Sequence, residues 1–293
     1  MRTLIKIRIY VIFIFFAACT LTSLSQEDNK EPAIQSPGSE SPHSLFAGLM
    51  YGSNMVYMGS DVSQNKPYYS GMLIYGYKEN LFLSASASHL TVFDKLISFS
   101  SFAGNYSHTF SSWFDISAGL TGFIVNGSLK DTLFSNFIYG YVSAGFDWKI
   151  LYTTVSAGGV FSSAASPYLN IKNSRYFETP SFFGGKAYFS FDPYVNIMFG
   201  RLTKTTTSDG TTTGVSSPFK PSGRPGQQSP GAEVTTYLGM MEADFGLPVT
   251  LNVGNFAFEI EPGYVLPAYK TSSDNLSSPE GFTLLVSLLY RMF

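Results

Sequence analysis

Thiol chemistry is closed to nearly all of this chain. Its one cysteine, Cys19, lies near the start, so neither a disulfide framework nor a thiolate metal site can be assembled. Histidine is almost as scarce: His43, His89 and His108 are too scattered to read as metal ligands, and no cofactor motif is present. Charged residues reach only 13%, about half the usual share of a soluble domain. No basic patch remains for nucleic acid. Long apolar blocks are missing too, since the run from Ile9 to Ala18 falls short of the roughly 20 residues that a spanning helix needs.

What the chain does have is aromatic side chains, at 16%, with frequent Gly, Ser and Thr. Mean hydropathy is only +0.09, because polar and apolar residues alternate. That combination suits a wall with lipid on one side and water on the other. A soluble β-sandwich of the same sequence would have to expose an apolar face larger than soluble monomers tolerate.

Residues 1–25 read as a cleaved secretory signal: basic Arg2, Lys6 and Arg8, the apolar run, then small Ser23 and Ser25 before Gln26. Its removal takes the formal charge from −2 to about −5. The competing reading is a lipobox, Phe16-Ala17-Ala18-Cys19, with Cys19 acylated. Residues 26–44 are polar, rich in Pro and Ser and without apolar period, which predicts a disordered periplasmic tail.

From residue 45 to 293 the alternation predicts an all-β domain of twelve strands: 45–55, 67–77, 81–91, 96–108, 112–125, 135–147, 149–162, 181–191, 194–206, 232–245, 249–265 and 281–293. Each has about the length that crosses a bilayer at a tilt. Tight turns are expected at 78–80, 109–111, 147–149, Asp192-Pro193 and 246–248, alternating with mostly longer connections, of which 204–230 is the longest and reads as flexible surface. Parity assigns faces: Phe114, Ile116, Ala118, Leu120 and Ile124 outward, against Asp115, Ser117, Gly119 and Thr121 inward. The pattern slips near Gly254, where a β-bulge would restore register.

The last thirteen residues, GFTLLVSLLYRMF, place Phe282, Leu284, Val286, Leu288 and Tyr290 on one face and stop on Phe293. The leader, the alternating strands, the short and long connections and this terminal strand together resemble small outer-membrane β-barrel proteins of Gram-negative bacteria. The SLSQ junction before the tail is similar to signal ends common among Bacteroidota. The resemblance implies a closed antiparallel transmembrane β-barrel in the outer membrane with both termini periplasmic. It also implies folding by the barrel insertion machinery, with Tyr290 and Phe293 as the insertion signal and membrane lipid as surroundings. It transfers no substrate.

Inward chemistry concentrates at Glu242, Asp244, Glu259 and Glu261, which with Asp115 and Lys186 form a candidate lumen charge network. No catalytic residue and no metal site are assigned. Small hydroxyl side chains at inward positions favour a porin-like channel or a barrel binding small solutes. Bulky inward Tyr139, Tyr141, Phe182 and Tyr188 favour a non-conducting barrel whose loops contact a partner or glycan. A lipid hydrolase ranks third, because the adjacent Ser88-His89 and Ser107-His108 pairs point to opposite faces of a strand and cannot form a dyad.

Overall fold

The computed structural model describes residues 41–57, 60–129, 136–161, 166–206, 212–216, 233–267 and 281–293. The expected leader, most of the tail and most of the 204–230 connection lie outside these residues.

Twelve antiparallel strands close on themselves. The first seven are β1 (His43–Gly52), β2 (Tyr68–Tyr77), β3 (Leu81–Leu90), β4 (Phe99–Ser111), β5 (Phe114–Val125), β6 (Phe137–Asp147) and β7 (Tyr152–Phe161). They are joined at one end by short turns such as 78–80, where Lys78 and Glu79 take positive φ. The last two are β11 (Phe256–Pro267) and β12 (Gly281–Arg291). Closure is made by β12, which pairs with β11 on one edge and with β1 on the other, Phe46 facing Arg291 and Gly52 facing Leu285. No edge remains open between first and last strands, as lipid requires.

The three strands between are long and interrupted. β8 runs Ser166–Ser174 and resumes as Phe177–Glu178; β9 runs Ala187–Phe191 and Tyr194–Thr206; β10 runs Glu233–Gly246 and Val249–Val253. Register is unbroken across each gap. Ser174 faces Tyr194 and, three residues on, Phe177 faces Phe191. Tyr194 faces Gly246 and Phe191 faces Val249. Gly246 faces Gly263 and Val249 faces Ile260. Outside the twelve, a short strand Thr212–Ser216 pairs with the far end of β9, and Val56–Tyr57 pairs with Ser60–Asp61 in the segment between β1 and β2.

Three expectations are corrected here. Asp192-Pro193 and 246–248 are not turns but interruptions inside β9 and β10; the chain reverses instead at Phe183-Gly184-Gly185 and at Gly254-Asn255, where positive φ occurs. Gly254 is therefore a hairpin turn, and the bulge lies in β10 at Met241, opposite Met198 and Phe199. The segment 163–180, read as a connection, contains β8. Merging 181–191 with 194–206 removes one expected strand and β8 restores it, so twelve stands.

Prolines cause the interruptions. Arg175 N–H donates to the Pro193 carbonyl at 3.2 Å, Asp192 N–H to Pro248 at 3.2 Å and Leu247 N–H to Pro262 at 3.0 Å. In each pair the reciprocal bond cannot form, because proline has no N–H. A crease of half-made pairs thus crosses β8 to β11 at one level.

The outer face is apolar, with Leu49, Leu73, Leu120, Ile124, Val142, Phe161 and Phe282 exposed. Around the short turns Trp113, Phe114, Phe146 and Trp148 form a contiguous aromatic cluster, with ring centroids 5.4–6.0 Å apart. Such a cluster suits the boundary between hydrocarbon and headgroups.

Candidate functional site

Inside, two layers fill the barrel. Toward the long-loop end the inward residues are apolar: Met50, Tyr68, Phe99, Phe123, Tyr139 and Tyr168 are all buried. The segment between β1 and β2 folds into this layer instead of standing over it, burying Met55, Tyr57 and Val62. Tyr57 packs on Phe123 and Phe137, with centroids at 5.6 and 6.1 Å, and those two rings stack at 4.4 Å. Main-chain bonds fix the segment: Met55 N–H donates to Ser63 Oγ at 2.7 Å and Ser53 N–H to the Leu284 carbonyl at 2.8 Å.

Below lies a polar belt, ordered by the strand registers. One row reads Asp244, Asn196, Lys172, Thr154, Gly145, Asp115 from β10 to β5. The next reads Glu242, Met198, Asn170, Ser156, Ser143, Ser117. Every side chain in both rows is buried. Tyrosines tie these rows together by lying sideways across a glycine of the neighbouring strand. Tyr152 crosses Gly145 so that its hydroxyl donates to Asp115 Oδ2 at 2.7 Å. Tyr141 crosses Gly119 to reach Asn105 Oδ1 at 2.9 Å. Tyr194 crosses Gly246 to reach Glu261 Oε1 at 2.8 Å, with Lys172 Nζ 4.2 Å from the centre of its ring. A Cβ at any of these three glycines would collide with the tyrosine, so only glycine leaves the passage open. Thr250 Oγ1 donates to Glu259 Oε2 at 2.8 Å, and Asn196 Nδ2 to Asp244 Oδ2 at 3.1 Å.

Of the residues singled out from sequence, Asp115, Glu242, Asp244, Glu259 and Glu261 are buried on the inward face. Lys186 is not among them: it sits exposed on the hairpin turn joining β8 and β9. The cation of the belt is Lys172, with Asp192 nearby in the β9 interruption and both buried. Sequence reasoning missed Lys172 because its segment was drawn as a connection. The alternation of Tyr168, Asn170, Lys172 and Ser174 with Leu169, Ile171 and Asn173 carries the missing signal. Tyr290 faces outward with its ring 4.7 Å from Phe256, and the Phe293 carbonyl accepts from Leu45 N–H at 3.2 Å.

The belt offers carboxylates, amides and hydroxyls. Among the described residues no three carboxylate, imidazole or thiol groups converge closely enough to chelate a metal ion. No Ser–His dyad is assembled by the adjacent pairs either: His89 Nδ1 meets the Lys95 carbonyl at 2.8 Å while Ser88 bonds Ser70 at 2.6 Å. His108 packs edge-on against Phe110 at 4.6 Å.

A closed antiparallel barrel with an apolar exterior and a polar-belted interior gives the protein the fold of outer-membrane β-barrels. No family model matches the chain, and no curated protein matches it. Among solved structures it is similar to CdiB from Acinetobacter baumannii, at 9% identity over 86% of this chain and 60% of that one, TM-score 0.34. It is also similar to OprD of Pseudomonas aeruginosa, at 11% identity over 87% and 68%, TM-score 0.35. A third is OmpT, an outer membrane protein of Vibrio cholerae, at 9% identity over 85% and 96%, TM-score 0.28. The chain spans about three fifths of the length of CdiB. Likenesses of this depth concern architecture alone.

Proposed function

We propose that the protein is an outer-membrane barrel that does not conduct in its resting form, with termini and short turns in the periplasm and its outer loops as the working surface. One observation carries this reading: its own side chains occupy the interior. Six of the inward serines are spent on each other, Ser70 with Ser88 at 2.6 Å, Ser86 with Ser101 at 2.7 Å and Ser117 with Ser143 at 2.5 Å. Inward residues of β5 to β10 such as Thr121, Tyr139, Thr154, Asn170 and Asn196 are at most 3% exposed, where a water-filled bore would wet them. Purified protein in planar bilayers tests the reading. The expected result is no current above leak; discrete ohmic steps from the unmodified barrel would overturn it.

A porin-like or solute-binding barrel is the second reading. It is favoured by a strip of inward Ser84, Ser86, Thr283 and Ser287 that keeps intermediate exposure beside the in-folded segment. Replacing residues 53–66 by a short turn separates the two. Steady conductance from that variant alone would make the segment a removable stopper, and continued silence would leave the wall and loops as the functional surfaces.

A further inference from the structure

We propose that the polar belt binds a monovalent metal cation between Asn196 of β9 and Asp244 of β10. The two face each other across the ladder, Asp244 6% and Asn196 1% exposed. The amide spends its donor on Asp244 Oδ2, which leaves Asp244 Oδ1 and Asn196 Oδ1, on facing residues, as two buried oxygens with no hydrogen-bond partner among the described residues. Glu242, two residues along the same face and 3% exposed, adds a second buried carboxyl.

Charge points the same way. The belt buries Asp115, Asp192, Glu242, Asp244, Glu259 and Glu261, against Lys172 as the one buried ammonium among the described residues. Lys172 acts electrostatically on Asp192, Glu261 and Glu259, and the hydrogen bond that Asp244 accepts comes from the neutral amide of Asn196. Donors near the lower acids are likewise spent: Tyr194 on Glu261 and Thr250 on Glu259. An ionised carboxylate held from water without a counter-charge is strongly disfavoured, and recruiting a cation removes the penalty. Every open ligand is an oxygen, which selects a hard ion. The two open oxygens, Asp244 Oδ1 and Asn196 Oδ1, carry between them the single negative charge of Asp244, which a monovalent ion balances. Sodium or potassium fits what remains. The inference does not depend on whether the barrel conducts.

The test uses folded, detergent-purified protein exchanged into N-methylglucamine chloride at pH 8 and returned to sodium, potassium or calcium chloride at matched ionic strength. We expect about one sodium or potassium ion retained per barrel after desalting, and a thermal midpoint several degrees higher in those salts than in N-methylglucamine. Asp244→Asn is expected to abolish both effects, and Asn196→Ser, a milder change, to weaken retention should Asp244→Asn fail to fold. Equal midpoints in all salts with no retained ion would overturn the proposal. So would a midpoint that follows pH alone, which makes the proton the ligand, or an effect produced by low-millimolar calcium and not by sodium.

Discussion

A tyrosine that lies across a glycine makes its binding partner the strand beyond its neighbour, and this sets what single substitutions do. Gly246→Ala places a methyl group in the Tyr194 ring and breaks its bond to Glu261. A loss of about 1–3 kcal/mol is expected, as for other overpacked interiors. Gly122→Ala, on the lipid face with open space around it, is expected to stay within about 0.5 kcal/mol. Urea unfolding in detergent compares them; equal effects would dismiss the sideways tyrosine as a structural device. Tyr152→Phe strips a donor from Asp115 and is expected to cost about 1–3 kcal/mol in the same assay. Parity alone placed Asp115, Glu242, Asp244, Glu259 and Glu261 inward. It did not reveal the ties among them, because Tyr152–Gly145–Asp115 depends on two registers at once, and register is set by turns far along the chain.

At the scale of elements, β1 to β7 were legible because the alternation stops near their turns, although the turn expected at 109–111 falls at 112–113, past the end of β4. The stretch from β8 to β11 was not. Proline is the strongest local mark of a turn, and Pro193 and Pro248 were read so; here neighbouring strands hold the chain straight through them. Gly254 carried the opposite ambiguity, since one glycine with positive φ serves a hairpin as well as a bulge. The crease predicts a pattern of amide exchange. Arg175, Asp192 and Leu247 sit in half-made pairs and are expected to exchange faster than Ile171, Ile197 and Ala243 in the unbroken ladders of the same strands. Hydrogen–deuterium exchange with peptide mapping reads this directly, and uniform protection across 170–200 would count against a weakened line.

For the whole molecule, alternation and loop length announced a closed barrel, while the in-folding of Met55, Tyr57 and Val62 stayed hidden because their segment has no period to read. Phe293 offers a way to part assembly from stability. Deleting it removes the acceptor of the Leu45 N–H, which is worth about 0.5–1.5 kcal/mol in the folded barrel. If the terminal aromatic serves as an insertion address, the yield of folded barrel in the outer membrane is expected to fall far more than that. Comparing heat-modifiable protein from membranes with protein refolded in detergent checks it, and an unchanged membrane yield would reduce Phe293 to a hydrogen-bond acceptor. The contact between Ser53 and Leu284 joins residues 231 positions apart. Such a bond is reached only after the entropy of ordering nearly the entire wall has been lost, so it belongs late on the folding route. Until then β1 waits with a bare edge, able to pair with any stranger. The hazard of this architecture is therefore one of timing: the interval between the first strand's appearance and the last strand's arrival is when the chain most needs a guardian.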